Sequence, residues 1–218
     1  MIASLAAREQ SCVSLAATRC KAVYGPPSAQ REANAMAQRI PAGTYGPTAK
    51  FFHWLIFLLL AAQYAIGSIM PHIGRKTLDE SWVHWHLLVG AVILLVIVLR
   101  FAWRLFHPVA LADGLTGWEL VLSRITHLTL YALVFVMTVL GWAAANDRGW
   151  DVPLFGVIPL PRLAAKGTPW AHKAGDIHDI LVYVLLGFII LHVLGALYHY
   201  FIKRDQVVQR MLVASDLP

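Results

Sequence analysis

Residues 176–200 read DIHDILVYVLLGFIILHVLGALYHY. The run is long and apolar enough to cross a bilayer, yet His178 and His192 stand near its two ends, with His199 beyond. An ionisable group at membrane depth is costly, and such residues persist where function gives them a partner. The two histidines are fourteen residues apart, roughly 21 Å along a helix axis at about 1.5 Å per residue. Fourteen steps of about 100° leave the second within about 40° of the first. Both therefore face one side. A single metal ion cannot touch both, whereas two cofactors, one near each membrane face, can.

The rest of the chain fits that setting. Of 218 residues, 58% are hydrophobic and 14% charged, with a mean hydropathy of +0.61. A soluble domain carries about 25% charged residues. The net charge of +6 does not point to nucleic acid, because the Lys and Arg residues lie between apolar runs rather than on a basic face with stacking groups. That is the pattern of membrane-flanking charge. Cys12 and Cys20 form neither CxxC nor CxxCH, so they offer no metal site or covalent haem attachment, and no disulfide framework is expected.

Four apolar segments each approach the roughly 20 residues that a spanning helix needs: 51–70, 84–105, 123–145 and 178–200. Pro71, Pro108 and the run Asn146-Asp147-Arg148-Gly149 supply stop signals. This predicts an all-α membrane protein, a four-transmembrane-helix bundle over residues 46–212. Residues 1–45 read as a flexible tail, with Met36 as an alternative natural start, and 213–218 as a second tail. Residues 150–170, with Pro153, Pro159, Pro161 and Pro169 among Trp150, Phe155 and Trp170, read as an interfacial loop outside the membrane. With the N-terminus inside, twelve basic residues lie on the cytoplasmic side and six on the other; counting from Met36, eight face six. Both termini are expected in the cytoplasm.

In that orientation His53 opens helix 1 at the depth of His192, and His86 opens helix 2 at the depth of His178. Two imidazoles on opposite helices suit haem iron in a bundle interior. Zinc wants four ligands at one point, and two histidines per level without Cys or carboxylate do not supply them. A proton relay wants intramembrane carboxylates, which the spans almost lack. His84, two residues from His86, faces nearly the opposite way, and Gly90 one turn from His86 leaves room for a flat macrocycle. His127 divides evenly between a quinone pocket and the interface. His199 reads as interfacial, and His72, His107 and His172 as loop residues. Arg100, the deeper of two arginines on helix 2, suits a haem propionate through its bidentate fork; Arg104 suits the flank.

The stretches TAKFFHWLIFLLLAAQYAIG, HWHLLVGAVILLVIVLRFAWRL, RITHLTLYALVFVMTVLG and DIHDILVYVLLGFIILHVLGALYHYF resemble the four helices of bacterial cytochrome b561, a family related to the b-type cytochrome subunits of nickel-iron hydrogenases. The likeness covers about residues 45–212, and the extension before it departs from a minimal member. The resemblance implies two non-covalent haems b in the bacterial inner membrane, ligated by His53, His86, His178 and His192. It also implies electron exchange between the ubiquinone pool and a periplasmic or membrane partner. One branch of the family oxidises superoxide at the periplasmic face and reduces ubiquinone near the cytoplasmic haem. Iron held by two histidines is closed to oxygen binding, so electron transfer is expected rather than oxygen carriage.

Three functions follow as expectations. The first is a stand-alone di-haem carrier coupled to the quinone pool, including an oxidoreductase of the superoxide:ubiquinone type. The second is a membrane anchor subunit that passes electrons from a dehydrogenase or hydrogenase to quinone. The third is a haem-free transporter or structural membrane protein, which would purify colourless. Arg75, Lys76, Arg148, Lys166 and Lys173 in the outer loops would steer a small anion; Asp79, Glu80, Asp147, Asp151 and Asp176 work against them.

Overall fold

A Gly-Pro pair sets the first helix. Gly46 takes an extended conformation as N-cap, and Pro47 occupies the first turn, where its fixed φ suits a helix and its missing N–H costs nothing. In this computed structural model the helix, α1, runs Pro47–Ile69. It ends where Met70 turns extended, as a residue before proline tends to do. α2 is Ser81–Phe106, α3 is Gly117–Arg148 and α4 is Pro169–Leu197. The residues described are 45–70, 81–107, 117–205 and 207–212, within the compact unit Tyr45–Pro218. Residues 1–44 and 213–218 of the expected tails, with Cys12 and Cys20, and His72, Arg75, Lys76, Asp79 and Glu80, lie outside the described residues.

Among the described residues, four helices are long and apolar enough to cross a membrane. Large apolar side chains such as Leu58, Val98, Leu128 and Ile190 are exposed on their outer faces, a surface suited to lipid and not to water. The chain is thus an all-α, four-helix membrane bundle. α3 packs on α4, α1 on α2, and α2 on α3. α1 also reaches α4 through side chains, with Tyr64 Oη donating to the Val182 carbonyl at 2.8 Å.

Two helices extend beyond their expected bounds. α4 begins nine residues before His178, because Thr168 and Pro169 start it as N-cap and first-turn proline. Trp170 and His172 are therefore helical rather than in the loop. α3 exceeds the apolar run 123–145 at both ends, covering 32 residues, about 48 Å. Its stop is Gly149 alone: φ there is +86°. The amide of Trp150 donates to the Ala145 carbonyl, and that of Gly149 to Asn146. This is the paired closure by which a left-handed glycine ends a helix. Asn146, Asp147 and Arg148 stay inside the helix.

The connection from α3 to α4 adds no fifth span. It holds a small hairpin, β1 (Pro153–Leu154) against β2 (Ile158–Pro159). The hairpin turns through Phe155 and Gly156, both at positive φ, as a tight hairpin turn requires. Midway along the bundle, Ile56, Ile93, Val96, Ile97, Val134, Met137 and Leu185 form a buried apolar layer. After α4 the chain winds into a π-helical turn, Tyr198–Lys203.

Candidate functional site

α4 presents His178 and His192 from one stripe, one toward each end of the apolar layer. His178 faces His86 of α2, with ring centres 6.2 Å apart and planes crossed at 80°. His192 faces His53 of α1 at 6.1 Å and 64°. These are the two pairs that matching by depth joins. Leu185 lies halfway between the levels and is fully buried, so packed hydrocarbon separates them.

Among the described residues, the hydrogen-bond partners of the first pair are uncharged. His178 Nδ1 donates to the Met137 carbonyl at 2.9 Å. That fixes the tautomer and leaves Nε2 a free lone pair, the state a metal-ligating imidazole adopts. A Cβ at Gly141 would lie 2.9 Å from His178 Cε1, so the ring occupies the space that glycine leaves. Against His86, Gln63 Nε2 donates to the residue's carbonyl at 3.1 Å. Among the described residues, His86 Nδ1, Gln63 Oε1 and Trp142 Nε1 are buried without a hydrogen-bond partner. The loop between α3 and α4 covers this end: Val152, Leu154, Leu160 and Trp150 pack with Val83, Leu87 and Trp142. Asn146, with no exposed surface, clamps that loop. Its Nδ2 donates to the Trp150 carbonyl at 3.0 Å, and its Oδ1 accepts from the Leu163 amide at 2.8 Å.

The second pair sits among polar groups. Arg100 Nη2 donates to His53 Nδ1 at 3.2 Å, and Arg100 Nε donates to Tyr131 Oη at 2.7 Å. A third imidazole joins them, since the ring of His127 lies 5.1 Å from that of His192. His127 Nδ1 donates to the Ser123 carbonyl at 2.6 Å. Glu119, Ser123, His127 and Tyr131 step by four along α3 and so share a face. At the mouth of this row Glu119, 4% exposed at its side chain, pairs with Lys203 at 2.5 Å. The chain beyond the π turn folds back on α1: Trp54 Nε1 donates to the Met211 carbonyl at 3.1 Å and Lys50 Nζ to that of Leu212 at 2.8 Å.

The remaining described histidines, His84, His107, His172 and His199, belong to neither pair. His84 is exposed beside half-buried His86. His107 stacks on Trp103 with ring centres 3.8 Å apart, His172 lies 3.4 Å from Asp147 Oδ2, and His199 lies 2.6 Å from Asp205 Oδ2. Arg104 reaches the face of Tyr45 at 5.7 Å, which suits the flanking place expected of it. Sequence reading left three contributors unnoticed: Gly141, the Met137 carbonyl and Tyr131. It placed His127 at the start of a helix, whereas α3 begins ten residues earlier. The step of four from Glu119 was the available signal. Among the described residues no three His, Cys, Asp or Glu side chains converge as one metal site, which leaves no cluster of the kind a four-coordinate zinc requires.

The sequence model of the prokaryotic cytochrome b561 family matches residues 44–213. Cytochrome b561 homolog 2 of Escherichia coli is 27% identical over 79% of this chain and 93% of its own length. The probable superoxide oxidase CybB of Yersinia pestis is 24% identical over 73% and 90%. Cytochrome b561 homolog 1 of Escherichia coli is 22% identical over 77% and 96%. The chain belongs to the prokaryotic cytochrome b561 family, membrane electron-transfer proteins that bind b-type haem, and is a multi-pass protein of the inner membrane.

Proposed function

We propose that this cytochrome b561 family member holds two non-covalent haems b, an inner one between His53 and His192 and an outer one between His86 and His178. Through them it carries electrons between a periplasmic donor and the ubiquinone pool, with both termini in the cytoplasm. The observation that carries the reading is the spacing of the ring pairs, 6.1 and 6.2 Å. Two imidazoles sharing one metal at about 2 Å each have ring centres about 6 Å apart. The donor set fits at His178, whose tautomer a backbone carbonyl fixes with Nε2 free, in a bundle interior where cofactors bind. At His53, Arg100 donates to Nδ1; ligation through Nε2 needs the guanidinium to leave that nitrogen, and a propionate would draw it off.

Haem b, when bound, supplies a one-electron couple. The chain supplies the rest. Each pair of imidazoles would hold one haem iron and leave it closed to oxygen, which directs the protein to electron transfer. Arg100, with no carboxylate within ion-pair distance among the described residues, offers its guanidinium fork to a propionate. The apolar layer around Leu185 holds the two levels apart and excludes water between them. At the outer end the Asn146-clamped loop covers His86.

The relative named a probable superoxide oxidase supports superoxide as the donor. The α3–α4 loop carries Lys166 and the first turns of α4 carry Lys173 for such an anion, though Arg162 is paired with Asp151 at 2.9 Å.

Haem extraction and a haem count on purified protein test the cofactor reading, with two haems b per chain expected; one haem, or a covalent one, overturns it. Stopped-flow mixing with superoxide and with quinol tests the partners. Superoxide should reduce haem from the outer face, and oxidised quinone should then take the electrons. Absence of any superoxide-driven reduction in the native protein refutes that donor.

A further inference from the structure

α3 donates no ligand in the scheme above, yet two of its residues bear directly on the His178 ring. Met137 and Gly141 stand one turn apart on it. The Met137 carbonyl holds the ring's Nδ1–H at 2.9 Å. At Gly141 the missing side chain lets the ring in: an added Cβ would stand 2.9 Å from Cε1, 3.0 Å from Nδ1 and 3.7 Å from Nε2. One edge of the ring is pinned and one face is admitted, from the same turn of the same helix.

We propose that the Met137 carbonyl and Gly141 form a ring-orienting seat that fixes the plane of His178, and with it the steep crossing of His178 and His86. The proposal rests on the reading of these two residues as axial ligands. A metal–imidazole bond alone leaves the ring free to rotate about it, and the hydrogen bond from the other ring nitrogen settles the orientation. Here that bond and the glycine gap act together. A methyl at position 141 makes the ring swing away, and the ring cannot swing without leaving the Met137 carbonyl. Gly141 is thus a positioning residue, acting on the iron through His178. The angle between two axial imidazole planes sets the splitting of the iron d orbitals that the ferric low-spin EPR signal reports, so the seat has a spectroscopic readout separate from folding or turnover.

α4 supplies its own control. A Cβ at Gly187 would meet nothing within 4 Å, so Gly187→Ala adds the same methyl to the same bundle without touching a ring. The experiment compares low-temperature EPR, haem count and resolved midpoint titrations of purified haem-loaded native protein, Gly141→Ala, Gly187→Ala and His178→Ala. The expected result is that Gly141→Ala shifts or abolishes one of two low-spin signals, the one that His178→Ala removes. The other signal should stay in place, and Gly187→Ala should match the native protein. Two unshifted signals in Gly141→Ala overturn the seat. So does equal loss of both, because a seat acts at one level only. If His178→Ala leaves both signals intact, the ligand assignment fails instead, which separates the two claims.

Discussion

At one end of the bundle His178 rests on a backbone carbonyl and a glycine; at the other, His53 faces an arginine. The pair proposed as outer has uncharged hydrogen-bond partners among the described residues, the Met137 carbonyl and the Gln63 amide, and lies under the loop clamped by Asn146. The pair proposed as inner has a guanidinium 3.2 Å from one ring and a third imidazole 5.1 Å from the other, at the end of a polar row on α3. The same side chain, presented twice from α4, is thus held in two electrostatic settings. A nearby positive charge favours the less positive, reduced state of a metal centre, so this difference bears on the relative potentials of the two sites.

The strongest way to break the comparison is to remove ligands one level at a time. His86→Ala or His178→Ala should empty the outer level and keep the inner haem; His53→Ala or His192→Ala should do the reverse. Haem counts with optical and EPR spectra decide it, and loss of the same haem from both sets would dissolve the distinction between levels.

A second change loosens the enclosure of the outer site alone. Asn146→Ala removes both hydrogen bonds of a fully buried amide and leaves a carbonyl and an amide of the loop unpaired, a cost of about 1–3 kcal/mol. Thermal unfolding should move down accordingly. The outer haem should become more accessible to a water-soluble reductant, while the inner haem keeps its rate.

Arg100→Gln sharpens the charge difference. The inner midpoint should fall by on the order of 60 mV, about 1.4 kcal/mol for one electron, and the outer midpoint should hold. An unchanged inner midpoint would mean that the guanidinium is compensated and the two settings are electrostatically alike.

His84→Ala should have the smallest effect. His84 is exposed and stands outside both pairs, so both haems and both midpoints should survive. Loss of a haem would instead show that the wrong histidine of the HWH sequence had been assigned to the pair.

Much of this organisation was legible before any coordinates. Apolar runs report burial in lipid, and the fourteen-residue interval reports a shared helix face; both are properties of a local stretch. Hydropathy was a poor guide to helix ends. It measures what lipid accepts, whereas α4 begins at Pro169 because of capping geometry, across a polar stretch that hydropathy assigns to the loop. The same error shortened α3: reading it from residue 123 put His127 about one turn from the helix start, and the start at Gly117 puts it about three turns in. Gly141 gave no signal at all, because a glycine in an apolar helix looks alike whether it faces lipid or a ring.

The sequence by itself determined four apolar helices, the stripe that sends two imidazoles of α4 to one side, and the candidate partners at matching depths. Periodicity and side-chain chemistry operate within a single segment, and that suffices for those conclusions. Only the tertiary structure decided that the Met137 carbonyl of α3 meets His178 Nδ1, that Arg100 faces His53 while the Gln63 amide meets the His86 carbonyl, and that the α3–α4 loop closes over one end. Those facts depend on how far apart two helices pack and which rotamers then fit between them, and no single segment of the chain carries that distance.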